Sequence, residues 1–179
     1  MNRQSIVILF VGFSIFFACD DMNDKAVLGL PIELSDAVLI NLKDGADPNF
    51  DSLISINIYD DSSFVSNAEN VQRIEISNLY YQINKVTAST ESIFETGIIG
   101  IGFDENTLID TLQVLDSLNI NEIKGQYHEV EISTDMIPQI NSALNNGGSI
   151  YIFVEGTTSE PPVRFTLSII AELIMFVGV

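Results

Sequence analysis

Val71-Gln72-Arg73-Ile74-Glu75-Ile76-Ser77-Asn78-Leu79-Tyr80-Tyr81-Gln82-Ile83 alternates apolar and polar residues, first through Ile74 and Ile76 and then through Leu79, Tyr81 and Ile83. Successive side chains of a strand point to opposite faces, so this reads as a β-strand whose buried parity changes between Ile76 and Leu79. An extra residue near Ser77-Asn78, a β-bulge, accounts for the change of face. Outward from it lie six similar runs rich in Ile, Val, Thr, Phe and Tyr: Ile32 to Leu42, Leu53 to Tyr59, Ser92 to Phe103, Tyr127 to Ser133, Ser149 to Glu155 and Val163 to Val177. Clusters of Asp, Asn, Gly, Ser and Pro separate them. Short, evenly spaced strands with turn signals between them predict an all-β fold, an antiparallel immunoglobulin-like β-sandwich of about seven to eight strands.

One segment breaks the rhythm. After Thr134-Asp135, the apolar residues Met136, Ile137, Ile140, Ala143 and Leu144 recur at helical spacing and run into Asn145-Asn146-Gly147-Gly148. Thr134 or Asp135 can cap a helix start, Pro138 is tolerated in the first turn, and Gly147 can close it in a left-handed conformation. The spacing predicts one short helix across an end of the sandwich. Residues 107–119 fit either a helical stripe (Leu108, Leu112, Leu115, Leu118) or a strand with irregular ends, and the strand is the preferred reading. The run Phe165 to Val179 is 15 residues long and contains Glu172. It is too short for a membrane helix, and its alternation marks a long terminal strand.

The charge balance narrows the partners. Seven Lys and Arg stand against 25 Asp and Glu, a net −18, in a chain that is 46% hydrophobic and 18% charged. Such a chain is apolar enough to fold around a sizeable core. Nucleic acid is excluded as a partner, because its phosphates would be repelled.

The first residues form a leader. Arg3 precedes the apolar run Ile6 to Phe17, which ends at Phe16-Phe17-Ala18-Cys19 and is followed by Asp20-Asp21. A 12-residue run is a signal-peptide core rather than a permanent span. Cys19 is the chain's one cysteine, so an intramolecular disulfide is impossible. Ala18-Cys19 resembles the lipobox of bacterial lipoproteins, although Phe occupies two positions where that box more often has Leu and a small residue. The resemblance implies cleavage after residue 18, lipidation of Cys19 and anchoring to membrane lipid through its acyl chains. Asp20-Asp21-Met22-Asn23-Asp24 is similar to the acidic export signal of Bacteroidota lipoproteins, which implies the outer membrane and the cell surface. The organisation expected is therefore a signal peptide over 1–18, an acidic tether over 19–29 and the β-sandwich over 30–179.

Two further features resemble those lipoproteins. The Ile74, Ile76, Leu79, Tyr81, Ile83 strand and the passage Val154, Gly156, Thr157, Ser159, Pro162, Val163, Phe165, Thr166 are similar to a broad set of uncharacterised Bacteroidota lipoproteins. That likeness implies a fold and a location, with no activity attached. Asp51-Ser52-Leu53, Asp110-Thr111-Leu112 and Asp116-Ser117-Leu118 resemble the O-glycan acceptor of exported Bacteroidota proteins, which implies modification at Ser52, Thr111 and Ser117.

Catalytic constellations are missing from the sequence. His128 is the one imidazole, and no Gly-x-Ser-x-Gly elbow or phosphate loop is present, so His128 reads as a surface or edge-strand residue. Zinc of the usual kind lacks its Cys and His ligands. Asp47, Asn49 and Asp51 alternate as calcium ligands do, but no Gly holds the sixth position and Ile58 stands where a closing Glu belongs. Turn chemistry explains this loop and Asp60-Asp61-Ser62-Ser63 without a metal. No metal and no cofactor is expected. The leading expectation is a lipid-anchored, non-enzymatic envelope module that binds a protein or glycan; the alternative is a carrier of an apolar ligand between the sheets.

Overall fold

The computed structural model describes residues 26–88, 91–159 and 161–178. Among the described residues nine strands make two antiparallel sheets. One sheet has the order β1 (Val27–Leu42), β9 (Val163–Gly178), β3 (Val71–Thr87), β7 (Tyr127–Glu129). The other has β2 (Asn49–Asn57), β8 (Ser149–Thr158), β4 (Ile93–Gly102), then β5 (Asp110–Val114), with β6 (Leu118–Asn119) paired further along β4. The sandwich expected from the alternation is present, and β3 shifts register between Ile76 and Asn78, at the expected bulge.

The connectivity differs from the immunoglobulin order, in which strands adjacent in sequence share a sheet at the start of the chain. Here the chain pairs as a nested hairpin: β1 with β9, β2 with β8, β3 with β7, and β4 with β5 and β6. That ribbon is wound so that β9 also pairs with β3, and β8 with β4. The winding is that of a jelly roll. Periodicity reports which face of a strand is buried and carries no information on which distant strand lies beside it, so the order emerges only from the register.

Both sheets turn apolar side chains inward. From β9 the alternate residues Val163 to Val177 are all buried, opposite Ile54 and Ile56 of β2 and Ile150, Ile152 and Val154 of β8. Toward the end where β1 meets Val163, Phe94 meets Phe165 edge-on at 5.5 Å between ring centroids, and Phe50 lies 6.0 Å and 5.8 Å from the two. Burying each such ring stabilises the fold by about 1.5–3 kcal/mol relative to leaving it in water.

Local corrections have local causes. β1 starts at Val27, inside the span expected of the tether. The predicted strand Leu53 to Tyr59 lies earlier, at Asn49–Asn57, and the supposed Asp60-to-Ser63 turn opens a helix, α1 (Ser62–Asn67). Asp61 caps that helix, accepting from the Phe64 amide at 2.8 Å. Residues 107–119 form the two short strands β5 and β6 rather than one. The strand expected over Tyr127 to Ser133 stops at Glu129, although Val130 still donates its amide to the Leu79 carbonyl. The second helix, α2 (Ile137–Gly147), has no side-chain cap from Thr134 or Asp135; the Ser133 carbonyl accepts from the Met136 and Ile137 amides instead. Gly148, not Gly147, takes the left-handed conformation, at φ +76°. A side chain there would meet the Tyr59 ring, so glycine is required twice over.

α2 also explains how the edge of β3 is closed. β7 covers β3 only from Tyr80 to Gln82. Beyond it, Asn145 accepts from the Ile74 amide and donates to the Ile74 carbonyl, both at 2.8 Å, and Asn141 accepts from the Ile76 amide at 2.8 Å. Two asparagines thus stand in for a missing strand. Among the described residues no helix is long and apolar enough to cross a membrane.

Candidate binding groove

The registers define two ends of the sandwich. Val27 pairs with Gly178 and Val71 with Val177, which places them together with α1 and α2 at one end. Leu42 pairs with Val163, and Arg164 lies between Asn41 and Thr87, at the other. Among the described residues the second end carries no helix. There the last residues of β1, the first of β9 and the end of β3 surround a groove of about 570 Å³, with a hollow of about 370 Å³ beside it.

Arg164 and Thr87 line both spaces. Lys43 lines the groove and Lys85 the hollow, so three of the chain's seven basic side chains converge here. The floor is apolar, from Leu42, Ala88, Pro161, Pro162 and Val163, and Asp44 is the one carboxylate among the described residues lining the two. The Pro161–Pro162 bond is cis. Cross-strand neighbours share a face, so Asn41, Arg164 and Thr87 form a row of hydrogen-bond donors across three strands. Among the described residues the ion pair present is Arg73 with Glu75, at 2.8 Å, at the opposite end.

Lys85 has a left-handed backbone, φ +51°, inside a register shift between Asn84 and Thr87. Glycine occupies such bulge positions without cost, whereas a side chain there costs about 1–3 kcal/mol. Such strain gathers at ligand sites and switches.

The residues singled out by the sequence are scattered. Cys19 lies outside the described residues. Thr111 is exposed on the edge strand β5, and Ser117 is exposed in the turn before β6 at φ +55°. Ser52 is half-buried on β2, on the parity of Phe50, Ile54 and Ile56, which face the core. In the acidic loop, Asp47 accepts from the Asn49 amide at 3.0 Å and from its side-chain nitrogen at 2.6 Å, while Asn49 accepts from the Thr157 hydroxyl at 2.6 Å. These oxygens serve the turn. Among the described residues no group of three His, Cys, Asp or Glu is arranged to hold a metal ion.

His128 does lie on an edge strand, but its ring is half-buried, stacked on Tyr81 at 4.8 Å with 17° between planes. Its Nε2 is buried without a hydrogen-bond partner. Burial raises the Tyr81 pKa above its ordinary value. Tyr80, on the outer face, is raised by desolvation and then by the charges of Glu172 and Glu129.

The basic groove escaped the sequence reading because Lys43, Lys85 and Arg164 are far apart in the chain. The available signal was that each lies within two residues of a buried or half-buried apolar residue near a strand end: Leu42-Lys43, Ile83-Asn84-Lys85 and Val163-Arg164.

No family model matches the chain, and no curated protein matches its sequence. Among solved structures the chain is similar to one from Desmodium yellow mottle tymovirus, at 10% identity over 100% of this chain and 97% of that one, with a TM-score of 0.40. It is also similar to one from turnip yellow mosaic virus, at 9% identity over 93% and 88%, with a TM-score of 0.36. At these scores neither likeness carries an argument about function.

Proposed function

We propose that the protein is a lipid-anchored, non-enzymatic module of the cell envelope, held to the outer membrane at the cell surface through acylated Cys19, which binds a protein or glycan partner at the groove end. The carrying observation is the position of Cys19 relative to the fold. Cys19 precedes the start of β1 by eight residues. Eight residues reach at most about 29 Å when fully extended. β1 then runs 16 residues from that end to the groove end, a strand path of about 50 Å. Acylation at Cys19 would therefore hold the helical end near the bilayer and present the groove away from it.

The non-enzymatic part rests on the missing constellations, with the one imidazole packed on Tyr81. The alternative, an apolar ligand between the sheets, is less favoured, since Phe50, Phe94 and Phe165 pack on one another between the sheets near the groove end. Protease treatment of intact and lysed cells, with mass spectrometry of the peptide starting at Cys19, tests the proposal. Expected are cleavage on intact cells and an acylated Cys19. An unmodified Cys19, or protection until lysis, would overturn the anchor or the surface location respectively.

A further inference from the structure

We infer that the groove end takes a compact ligand bearing an anionic oxygen group, a carboxylate or a phosphate, on a short apolar body. This rests on the reading of that end as the binding end and adds the chemistry of the group that a protein or glycan partner presents there.

Three observations carry it. First, a chain with 25 acidic residues has ample carboxylates to neutralise its few cations, as Glu75 does for Arg73. Yet Lys43 and Arg164 line the groove, and Lys85 and Arg164 the hollow that shares Thr87 and Arg164 with it, and none of the three makes an ion pair or side-chain hydrogen bond among the described residues. Cations gathered this way repel one another until an anion lies between them. Second, the donor row Asn41, Arg164 and Thr87 presents N–H and O–H groups on one face, and the arginine fork matches two oxygens of a carboxylate or phosphate at once. Third, the chain places lysine at φ +51°, where glycine would avoid the strain, so the side chain rather than the backbone is what that position supplies.

The floor and the global charge set the rest of the ligand. Leu42, Pro162 and Val163 offer apolar surface without an aromatic platform, which suits a short alkyl or aliphatic group beside the anion. A groove of about 570 Å³ falls within the size range of small-molecule sites. The net −18 repels long polyanions, whereas charges beyond about 8 Å are screened at physiological salt, so a compact anion meets chiefly the three cations.

The test is a ¹H–¹⁵N NMR titration of the full chain in nanodiscs of zwitterionic lipid, with hexanoate, hexyl phosphate and hexylammonium as probes. Expected are saturable shifts at Asn41, Lys43, Thr87 and Arg164 with either anion, the tighter of the two identifying the preferred group, and none with hexylammonium. Arg164→Gln should weaken binding at least tenfold, and so should Lys85→Asn, which keeps a residue tolerant of the left-handed backbone. Absence of shifts with both anions, equal binding of hexylammonium, or unchanged affinity in both variants would overturn the inference. Equal binding of hexylammonium at the groove would do so while leaving the groove as a binding end. Failure of the chain to stay with the nanodisc counts against the anchor, and the same titration of the unanchored chain then decides the ligand question.

Discussion

The two ends of this jelly roll are finished in opposite ways. At the helical end polar groups are committed: Asn145 and Asn141 complete the edge of β3, Gly148 closes α2 under Tyr59, and Arg73 pairs with Glu75 while lying 3.9 Å over the Phe176 ring. At the groove end Asn41, Thr87 and Arg164 stand in a row with no side-chain partner among the described residues, beside a strained lysine. One end holds the fold together and the other leaves its chemistry free. Substitutions at the helical end should therefore cost stability, and those at the groove end should cost binding.

The largest effect is expected from Asn145→Ala. It leaves the Ile74 amide and carbonyl without partners at a half-buried edge, costing about 2–4 kcal/mol in chemical denaturation. Next comes Gly148→Ala, which forces a left-handed alanine against Tyr59 and should lower stability by about 2 kcal/mol. His128→Phe should act in the opposite direction, raising stability by about 1 kcal/mol, because it keeps the stacked ring and removes a buried nitrogen that has no partner. A loss of stability in that variant would show that Nε2 has an unseen partner.

Alkali offers a finer probe. Burial raises the pKa of Tyr81 above its unfolded value of 10.0, so the native state holds that proton more tightly than the unfolded chain. The resulting stabilisation is complete below pH 10 and is lost as pH rises through the native pKa. Denaturation midpoints should hold from pH 8 to about 10 and then fall, and Tyr81→Phe should flatten the fall. The chain has five Tyr and no Trp, so tyrosinate absorbance follows the same titration directly. The smallest effect on stability is expected at the groove end, where Arg164→Gln and Lys43→Gln should each change it by no more than about 0.5 kcal/mol. A larger loss would mean that these cations hold the fold rather than a ligand.

What was legible in the sequence follows the same division. Alternation locates the long strands β1, β3, β4, β8 and β9, and the parity change between Ile76 and Leu79 gives the bulge, because burial acts on every second residue. The strand order was not legible, since β1 recognises β9 through a register that spans almost the whole chain. The helix C-terminus falls one position late: Gly148 is the left-handed cap, its amide donating to the Leu144 carbonyl, and Tyr59 packs where a side chain on it would lie, a contact invisible in Asn146-Gly147-Gly148. The Asp-Ser/Thr-Leu triads read alike, yet the strand parity turns Ser52 toward the core side and leaves Thr111 and Ser117 exposed. The groove is a product of topology alone, assembled by the β1–β9–β3 register from three strand termini.

The central claim is that anchor and groove occupy opposite ends. It is tested most directly by attaching one fluorophore at a time to the nanodisc-bound chain, at a cysteine replacing Asn70 beside β3 or Lys43 at the groove, and measuring energy transfer to an acceptor in the bilayer. The expected result is strong transfer from position 70 and weak transfer from position 43, a separation of tens of ångströms set by the length of β1. Equal transfer from the two positions would contradict the account.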